Sequence, residues 1–270
     1  MNSFEEEVGK GERFEFGKNW QDFLLTLNDR RIKEAENSIK ELLRCESLKG
    51  KKFLDVGSGS GLFSLVARRL GASVLSFDYD PSSVACAQEL RSRYFPNDED
   101  WKIEQASVLD DDFLNTVGTF DIVYSWGVLH HTGNMQKALE NVAKLVQNNG
   151  ILVIAIYNDQ GKKSRRWWKI KKLYCSSALG RLFVSSIFVP YFFLRIPVVR
   201  LIKGSDLSSS FETSRGMSIV HDWFDWLGGF PFEVAKVEDI FRFYDARGFR
   251  LRDLKTTIYS GNNEYVFVRG

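Results

Sequence analysis

The sequence comprises 270 residues, 44% of them hydrophobic and 27% charged, with a net charge of +2. This composition is that of an ordinary soluble protein, and the length is sufficient to bury a core. Three widely spaced cysteines, Cys45, Cys86 and Cys175, exclude a disulfide framework and a paired-cysteine metal site. The acidic, polar amino terminus MNSFEEEVGKGE is unlike a signal peptide. We therefore expect a cytoplasmic protein without a metal.

Strands and helices alternate over the first part of the chain. An amphipathic helix is predicted at 30–44, where apolar residues recur at helical spacing. Asp80 and Pro81 are a suitable N-cap and first residue for a later helix. Five apolar runs predict buried strands, with helical patterns among them, at 52–57, 73–80, 101–108, 120–127 and 150–158. This alternation predicts an α/β fold with a doubly wound parallel sheet.

The chain after the fifth strand interrupts this alternation. Residues 158–234 are too many for a plain connection, and connections of that size usually have a function. A helix is then predicted to end at Gly248, and 250–259 and 263–270 to pair as an antiparallel hairpin at the sheet edge.

The turn after the first strand, DVGSGSG, contains Gly57, Gly59 and Gly61. Glycines let a backbone turn tightly and approach a ligand at the amino end of a helix. The spacing is GxGxG and not the GxGxxG of a dinucleotide site, which disfavours a nicotinamide oxidoreductase. Asp55 precedes the glycines, and Asp78, 23 residues later, ends the second strand, where a carboxylate can bind both hydroxyls of a ribose.

The chain resembles the class I S-adenosylmethionine (SAM)-dependent methyltransferases in FLDVGSGSGLFSLVARRLGA, SFDYDPSSV, ASVLD and FDIVYSWGVLHHTGNM. Within that family it is most similar to the quinone-methylase-like small-molecule branch. The resemblance implies a Rossmann-like, mostly parallel seven-stranded sheet with an antiparallel last strand, and SAM as cofactor. We expect four parts: a helical lid at 1–49, the SAM-binding core at 50–157, a helical cap that binds the acceptor at 158–234, and a helix and hairpin that complete the sheet at 235–270.

The resemblance also implies roles for individual residues. The methionine portion of SAM would be lined by Gly57, Ser58, Gly59 and Gly61, with Asp55 supporting that loop or the ammonium group and Ser125 and Trp126 flanking the methionine end. Asp78 would bind the ribose, Tyr79 would lie beside the adenine, and Ser107 and Val108 would frame the adenine edge.

Methyl transfer is an in-line displacement in which the enzyme supplies mainly alignment and desolvation. A carboxylate acceptor needs no base, whereas a hydroxyl or phenol usually does. His130 follows the fourth strand and is the candidate to face the acceptor, although a packed histidine pair is an equal interpretation. Phe16 and Trp20 either dock the first helix or fold over the SAM pocket as a lid, in which case Arg31 could approach an acidic group.

A basic, apolar segment at 162–203 contains eleven Lys and Arg residues and no acid. Its longest apolar run, 182–194, is thirteen residues long, shorter than the roughly 20 needed to span a bilayer. We therefore expect no transmembrane segment. Three interpretations stay open: a helical cap over the acceptor pocket, a peripheral membrane contact, and the least favoured, a nucleic-acid contact.

The stretch RGMSIVHDWFDWLGGFPFEVA at 215–235 returns the chain to the sheet. Its aromatic residues either close the core or surround the acceptor. Arg215 can pair with a carboxylate or phosphate, and His221, next to Asp222, can serve as a base. The sequence predicts a SAM-dependent methyltransferase that methylates an oxygen atom of a small molecule or peptide. A non-catalytic SAM-fold scaffold that binds a partner or membrane is the alternative.

Overall fold

A computed structural model describes residues 3–203, 226–259 and 261–270, with 193–203 described as backbone only. The strands are β1 (Lys52–Val56), β2 (Ser73–Asp78), β3 (Trp101–Gln105), β4 (Phe120–Trp126), β5 (Val146–Tyr157), β6 (Phe249–Lys255) and β7 (Asn262–Arg269). They form one sheet in the order β3-β2-β1-β4-β5-β7-β6. The first five strands run parallel, and β7 runs antiparallel to both of its neighbours. The predicted sheet is confirmed.

Helices cover both faces of the sheet. They are α1 (Phe4–Gly9), α2 (Gly17–Thr26), α3 (Asp29–Leu43), α4 (Leu62–Arg69), α5 (Pro81–Tyr94), α6 (Asp111–Val117), α7 (Met135–Leu145), α8 (Lys162–Ser176), α9 (Ala178–Lys203) and α10 (Val237–Asp245), with a short 3₁₀ turn at Leu129–His131. The Asp80 carboxylate accepts from the backbone N–H of Ser82 and so caps α5 as its sequence predicts.

The core consists of two apolar layers, one on each face of the sheet. In β1, Phe53 belongs to one layer and Leu54 and Val56 to the other, since successive strand residues point to opposite faces. All three side chains are fully buried. β1 therefore buries apolar side chains on both faces of the sheet, as a central parallel strand requires.

The order of the strands creates a place for a ligand. β1 lies between β2 and β4, and the chain winds from β1 to β2 in one direction and returns to β4 in the other. The connections diverge at the carboxyl ends of these strands and leave a crevice there. Every loop that carries a predicted cofactor motif begins at this edge of the sheet.

Three local features differ from the sequence prediction. The turn expected at 148–150 lies within β5, where Asn149 adopts a positive φ of 61° and the register with β4 shifts between Phe120 and Ile122. Strand β6 ends at Lys255, four residues before its predicted end. Helix α6 was not predicted, because only seven residues follow its cap Asp110.

Helix α9 contains the apolar run of the basic segment. In the part of the chain that the structure describes, no helix is long and apolar enough to cross a membrane.

Candidate functional site

A cavity of about 150 Å³ lies at the carboxyl ends of β1, β2, β3 and β4. Among the residues with a predicted cofactor role, those that line it are Gly57, Gly59, Asp78, Tyr79, Ser107, Val108 and Trp126. They come from four separate loops and meet because parallel strands end at the same edge of the sheet. The wall is completed by residues near the amino terminus and by the turn that follows β4.

The glycine turn after β1 leaves no room for side chains. Gly57 has a φ of +73°, and a Cβ atom there would lie 2.4 Å from Val128 Cγ1. Gly59 has a φ of +54°, and its Cβ would lie 2.9 Å from the indole ring of Trp20. Both positions require glycine for conformation and for space.

Asp78, at the end of β2, holds the glycine turn in place. One carboxylate oxygen accepts a 2.9 Å hydrogen bond from the backbone N–H of Gly59. The other accepts a 2.9 Å hydrogen bond from the backbone N–H of Asp80. Burial raises the pKa of Asp78 to about 6, and these hydrogen bonds oppose the rise. The side chain is half-buried and borders the cavity, so it can meet a ligand there.

Four predicted cofactor residues lie behind the cavity wall. Asp55 is 3% exposed and accepts a 2.6 Å hydrogen bond from the Ser64 hydroxyl. This contact agrees with the loop-supporting role and not with contact to an ammonium group. Burial, with the nearby Asp78 charge, raises the pKa of Asp55 to about 7.

The other three are Gly61, Ser125 and Ser58, and the first two support the framework. Gly61 precedes α4, and a Cβ there would lie 2.9 Å from Ala87 on α5. Ser125 is buried and donates to the carbonyl oxygen of Val56, which joins β4 to β1. Within the described residues, the buried Ser58 hydroxyl has no hydrogen-bond partner. Their predicted direct contact with the cofactor therefore does not follow from where they lie.

Residues 4–20, called the cover segment below, close one side of the cavity. Phe16 and Trp20 both line it, which is where the lid hypothesis puts them. The Gly17 backbone N–H donates a 2.7 Å hydrogen bond to the Asp80 carboxylate, so the start of α2 is attached to the start of α5. A Cβ at Gly17 would lie 2.7 Å from the same carboxylate. The cover segment therefore packs closely on the core.

Arg13 is a site residue that the sequence reasoning missed. Its guanidinium donates to the carbonyl oxygens of His131 and Thr132 and to the carboxylate of Glu7. It also lies 5.0 Å from the centre of the Tyr79 ring. One arginine among many gives no signal, although its place beside the aromatic residues of RFEF could have suggested a part in the lid.

The structure places His131, not His130, in the cavity wall. The 3₁₀ turn contains about three residues per turn, so consecutive side chains point in different directions. His130 is fully buried, with its ring 4.0 Å from that of Tyr157, and burial lowers its pKa well below the usual value. His130 therefore does not border this cavity, and its predicted position facing the acceptor stays a prediction. Packed against Tyr157, it matches the alternative of a packed histidine.

His131 itself is held in one orientation. Its Nδ1 lies 2.6 Å from the Pro231 carbonyl oxygen, and its ring centre lies 5.0 Å from that of Phe16. A carbonyl oxygen only accepts, so Nδ1 carries the proton. Burial lowers the pKa of His131 to about 3, and the ring is therefore neutral near pH 7.

Of four further residues predicted for the acceptor site, one lies away from the main cavity and three are not among the described residues. Arg31 donates to the carbonyl and hydroxyl oxygens of Thr26 and borders a different cavity, so it does not approach the main one. Arg215, His221 and Asp222 lie outside the described residues. Of the stretch that contains them, Trp226 and Phe232 pack against Tyr157. In the described ranges, no three His, Cys, Asp or Glu residues are grouped to hold a metal ion.

Part of this chain is similar to known methyltransferases. Residues 54–152 match a family model described as a methyltransferase domain. A ubiquinone biosynthesis O-methyltransferase of Pelagibacter ubique is 30% identical over 126 residues, which cover 46% of this chain and 50% of that protein. A ribosomal protein L11 methyltransferase of Thermosipho melanesiensis is 33% identical over 124 residues, covering 46% of this chain and 43% of that protein. The chain thus spans about half the length of the curated relatives it matches.

Two solved structures share the fold over most of this chain. A magnesium protoporphyrin IX methyltransferase of Synechocystis is 15% identical, with a TM-score of 0.53, covering 88% of this chain and 83% of that one. An O-methyltransferase family protein of Burkholderia thailandensis is 12% identical, with a TM-score of 0.51, covering 90% of this chain and 58% of that one. At these identities the likeness concerns the fold.

Proposed function

We propose that this chain, whose residues 54–152 match a methyltransferase domain, is a class I SAM-dependent methyltransferase that transfers a methyl group from SAM to an oxygen atom of a small acceptor. The observation that carries the proposal is the joining of Asp78 to the glycine turn at Gly59 in the wall of the cavity. The O-methyltransferase relatives support oxygen as the receiving atom.

The residues that line the cavity fit the parts of SAM. Asp78 offers carboxylate oxygens to the two ribose hydroxyls. Ser107 and Val108, which border the same cavity, suit the adenine edge, and Tyr79 offers a ring face beside it. The turn at Gly57 and Gly59 exposes backbone where a side chain would block approach. These features come from the ends of three different strands, β1, β2 and β3, so the fit rests on several independent parts of the chain.

When bound, SAM supplies a methyl group that its positively charged sulfonium already activates. The chain's own contribution is alignment and exclusion of water. Phe14, Phe16, Trp20 and Val128 give the cavity an apolar wall on the side of the cover segment and the turn after β4. An acceptor held against this wall meets the donor in a space with little water. The acceptor oxygen is then less solvated and can attack the methyl group more readily.

The state of His131 bears on which acceptor is used. A neutral ring whose Nδ1 is fixed by the Pro231 carbonyl can accept a hydrogen bond through Nε2, but a pKa near 3 makes it a weak base. A carboxylate, or a phenol that is already acidic, needs no stronger base. We therefore propose an acidic oxygen acceptor, with Arg215 as its anchor and His221 as the alternative base for a hydroxyl.

Calorimetric titration with SAM and, separately, with NAD tests the cofactor. We expect binding of SAM that is lost in Asp78→Ala, and no binding of NAD. Absence of SAM binding would refute the proposal, and binding without methyl transfer to any acceptor would favour the scaffold alternative.

Labelled SAM with sets of carboxylate, phenol and alcohol acceptors then tests the acceptor class. An acidic acceptor predicts that Arg215→Ala removes transfer while His221→Ala leaves it. The reverse result would overturn the acidic-acceptor proposal and make His221 the base. Lys49→Ala, on the exposed surface before β1, is the control.

A further inference from the structure

Helix α9 has an apolar face that points away from the protein. Leu179, Leu182, Phe183, Ile187 and Tyr191 recur at helical spacing, and their exposed fractions are 79%, 67%, 59%, 49% and 48%. Residues three and four apart lie on one side of a helix, so the five side chains form one continuous stripe. This outer stripe is a contiguous apolar surface of the kind that marks a contact with a partner or a membrane.

Within the described residues, the outer stripe is not part of the buried apolar clusters. A second, inward face of α9 carries Val184, which is 2% exposed and packs with Tyr174, Cys175 and Leu227. Thus α9 buries one apolar face in the protein and leaves a second one in solvent. Exposing five large apolar side chains to water is unfavourable, because apolar surface is more stable when it is removed from water.

The neighbouring helix α8 adds positive charge beside the stripe. Its exposed cations are Lys162, Lys163, Arg165, Arg166, Lys169 and Lys172. In the structure as described, none of the six forms an ion pair with an acid, and Lys172 lies over the Trp168 ring at 5.0 Å. Trp168 and Leu173 are also exposed, at 40% and 43%. Exposed cations and exposed apolar side chains therefore lie on the two adjacent helices of the α8–α9 hairpin, whose exposed surface is called its outer side below.

We propose that the outer side of the α8–α9 hairpin binds the surface of an anionic lipid bilayer. The cations match the negative headgroups, and the outer stripe reaches the apolar boundary beneath them. A protein partner would need a specific surface that combines acidic and apolar groups. An anionic bilayer presents negative headgroups and an apolar interior over its whole surface. The association is peripheral and does not depend on the methyltransferase activity.

The hairpin that we propose to dock on the bilayer lies next to the cavity. Phe14 lines the cavity and lies 6.2 Å, between ring centres, from Tyr174 of α8. A Cβ at Gly11 of the cover segment would lie 2.6 Å from the Cys175 carbonyl oxygen. The hairpin and the cover segment therefore pack directly on each other.

The test is cosedimentation of the full chain, without SAM, with vesicles of phosphatidylcholine alone or mixed with phosphatidylglycerol. We expect binding to the mixed vesicles, weakened by salt, and little binding to the neutral ones. Leu182→Asp with Phe183→Asp should weaken binding at least about tenfold, because two apolar groups leave the bilayer. Arg166→Ser with Lys169→Ser should weaken it about fivefold per cation removed.

Matched variants separate this surface from general effects. Leu25→Asp with Ile258→Asp changes two apolar residues outside the hairpin that are 79% and 81% exposed. Lys49→Ser with Lys102→Ser removes two exposed cations outside the hairpin. Both controls should bind like the parent chain. Equal binding by the hairpin variants, or no binding by the parent chain, would overturn the proposal.

Two other occupants of this surface would give different results. If the outer stripe joined two copies of the chain, Leu182→Asp with Phe183→Asp would halve the mass in solution and the parent chain would not sediment with vesicles. If the cations bound nucleic acid, a labelled single strand would bind and vesicles would not. Either outcome contradicts a lipid surface and leaves SAM binding unaffected.

Discussion

Arg13 Nη1 donates a 2.9 Å hydrogen bond to the carbonyl oxygen of His131, 118 positions away in the sequence. The same guanidinium donates to Glu7 and lies over the Tyr79 ring. Arg13 is thus in contact with the loop after β2 and with the turn after β4, on two sides of the cavity. Together with the hydrogen bond from Gly17 to Asp80, this side chain holds the cover segment across the proposed SAM site.

Arg13→Gln should therefore loosen the cover segment. Hydrogen bonds from a charged donor are among the stronger ones in proteins, and glutamine cannot reproduce the forked geometry of the guanidinium. We expect the Kd for SAM to rise about tenfold, equivalent to about 1.4 kcal/mol. Titration calorimetry measures the affinity, and hydrogen exchange should show faster exchange over residues 4–20.

Lys18→Gln is the matched control, because Lys18 lies on the same segment with its side chain 67% exposed. Its affinity for SAM should equal that of the parent chain. If Arg13→Gln binds SAM with unchanged affinity and unchanged exchange, the cover segment is held by other contacts and the role given to Arg13 is wrong.

The contact between Gly59 and Trp20 predicts a coupled pair of substitutions. Gly59→Ala puts a methyl group 2.9 Å from the indole and imposes a positive φ on alanine, so it should weaken SAM binding by more than about tenfold. Trp20→Ala removes the covering ring and should weaken binding by about tenfold. Since the clash disappears with the ring, the double variant should bind more tightly than the product of the two effects predicts.

The double-mutant cycle is measured by calorimetry on the four proteins. Leu25→Ala, on the same helix with its side chain 79% exposed, replaces Trp20→Ala in a control cycle and should show additivity with Gly59→Ala. Additivity in the Trp20 cycle as well would mean that the strained backbone alone accounts for the loss, and that the ring does not lie on the glycine turn in solution.

The fold was predictable because each part of it has a local signal. Buried strands such as β1 are short apolar runs ending at glycine, and the α5 cap is a single dipeptide, Asp80-Pro81. The cofactor edge followed, since parallel strands bring their carboxyl ends together. The bulge in β5 and the short helix α6 were missed because register shifts and brief helices depend on neighbouring strands more than on local composition.

The side chains around the cavity were harder to predict than its loops. The choice between His130 and His131 depends on the rotation of a three-residue turn, for which adjacent identical residues carry no information. Arg13 acts through contacts more than a hundred residues distant, which no local pattern encodes. Arg31 shows the opposite error: a suitable residue near the lid, at the start of α3, donates instead to Thr26 at the end of α2.

The raised pKa of Asp78 predicts how SAM binding depends on pH. Burial raises that pKa to about 6, so the carboxyl is ionised at pH 7 and mostly protonated at pH 5. A protonated carboxyl accepts hydrogen bonds from ribose hydroxyls poorly, so affinity should fall about tenfold between pH 7 and pH 5. Calorimetry across this range should show the fall in the parent chain.

Asp78→Asn should bind weakly at both values and lose this dependence. Glu104→Gln, which changes an exposed carboxylate on the neighbouring strand β3, should keep the dependence of the parent chain. A steep pH dependence that persists in Asp78→Asn would assign it to another group and weaken the ribose role of Asp78.

The buried Asp55 makes a separate prediction for stability. Its pKa is about 7 in the folded chain, against an ordinary 3.8, because burial disfavours the charged form. Between pH 4 and 7 the folded state therefore binds more protons than the unfolded state, and the free energy of unfolding falls as pH rises through this window. Asn at position 55 is neutral at every pH and can still accept from Ser64, so Asp55→Asn should gain stability relative to the parent chain between pH 5 and pH 8.

Chemical denaturation of both proteins at pH 5 and pH 8 measures the difference. Asp78 and His131 also titrate with folding and are present in both proteins, so their contributions cancel in the comparison except for the part of the Asp78 titration that is coupled to the Asp55 charge. Asp112→Asn, at an exposed carboxylate of α6, should show no such change with pH. If the advantage of Asp55→Asn is the same at both pH values, the Asp55 carboxyl is ionised throughout, and its hydrogen bond from Ser64 outweighs the cost of burying its charge.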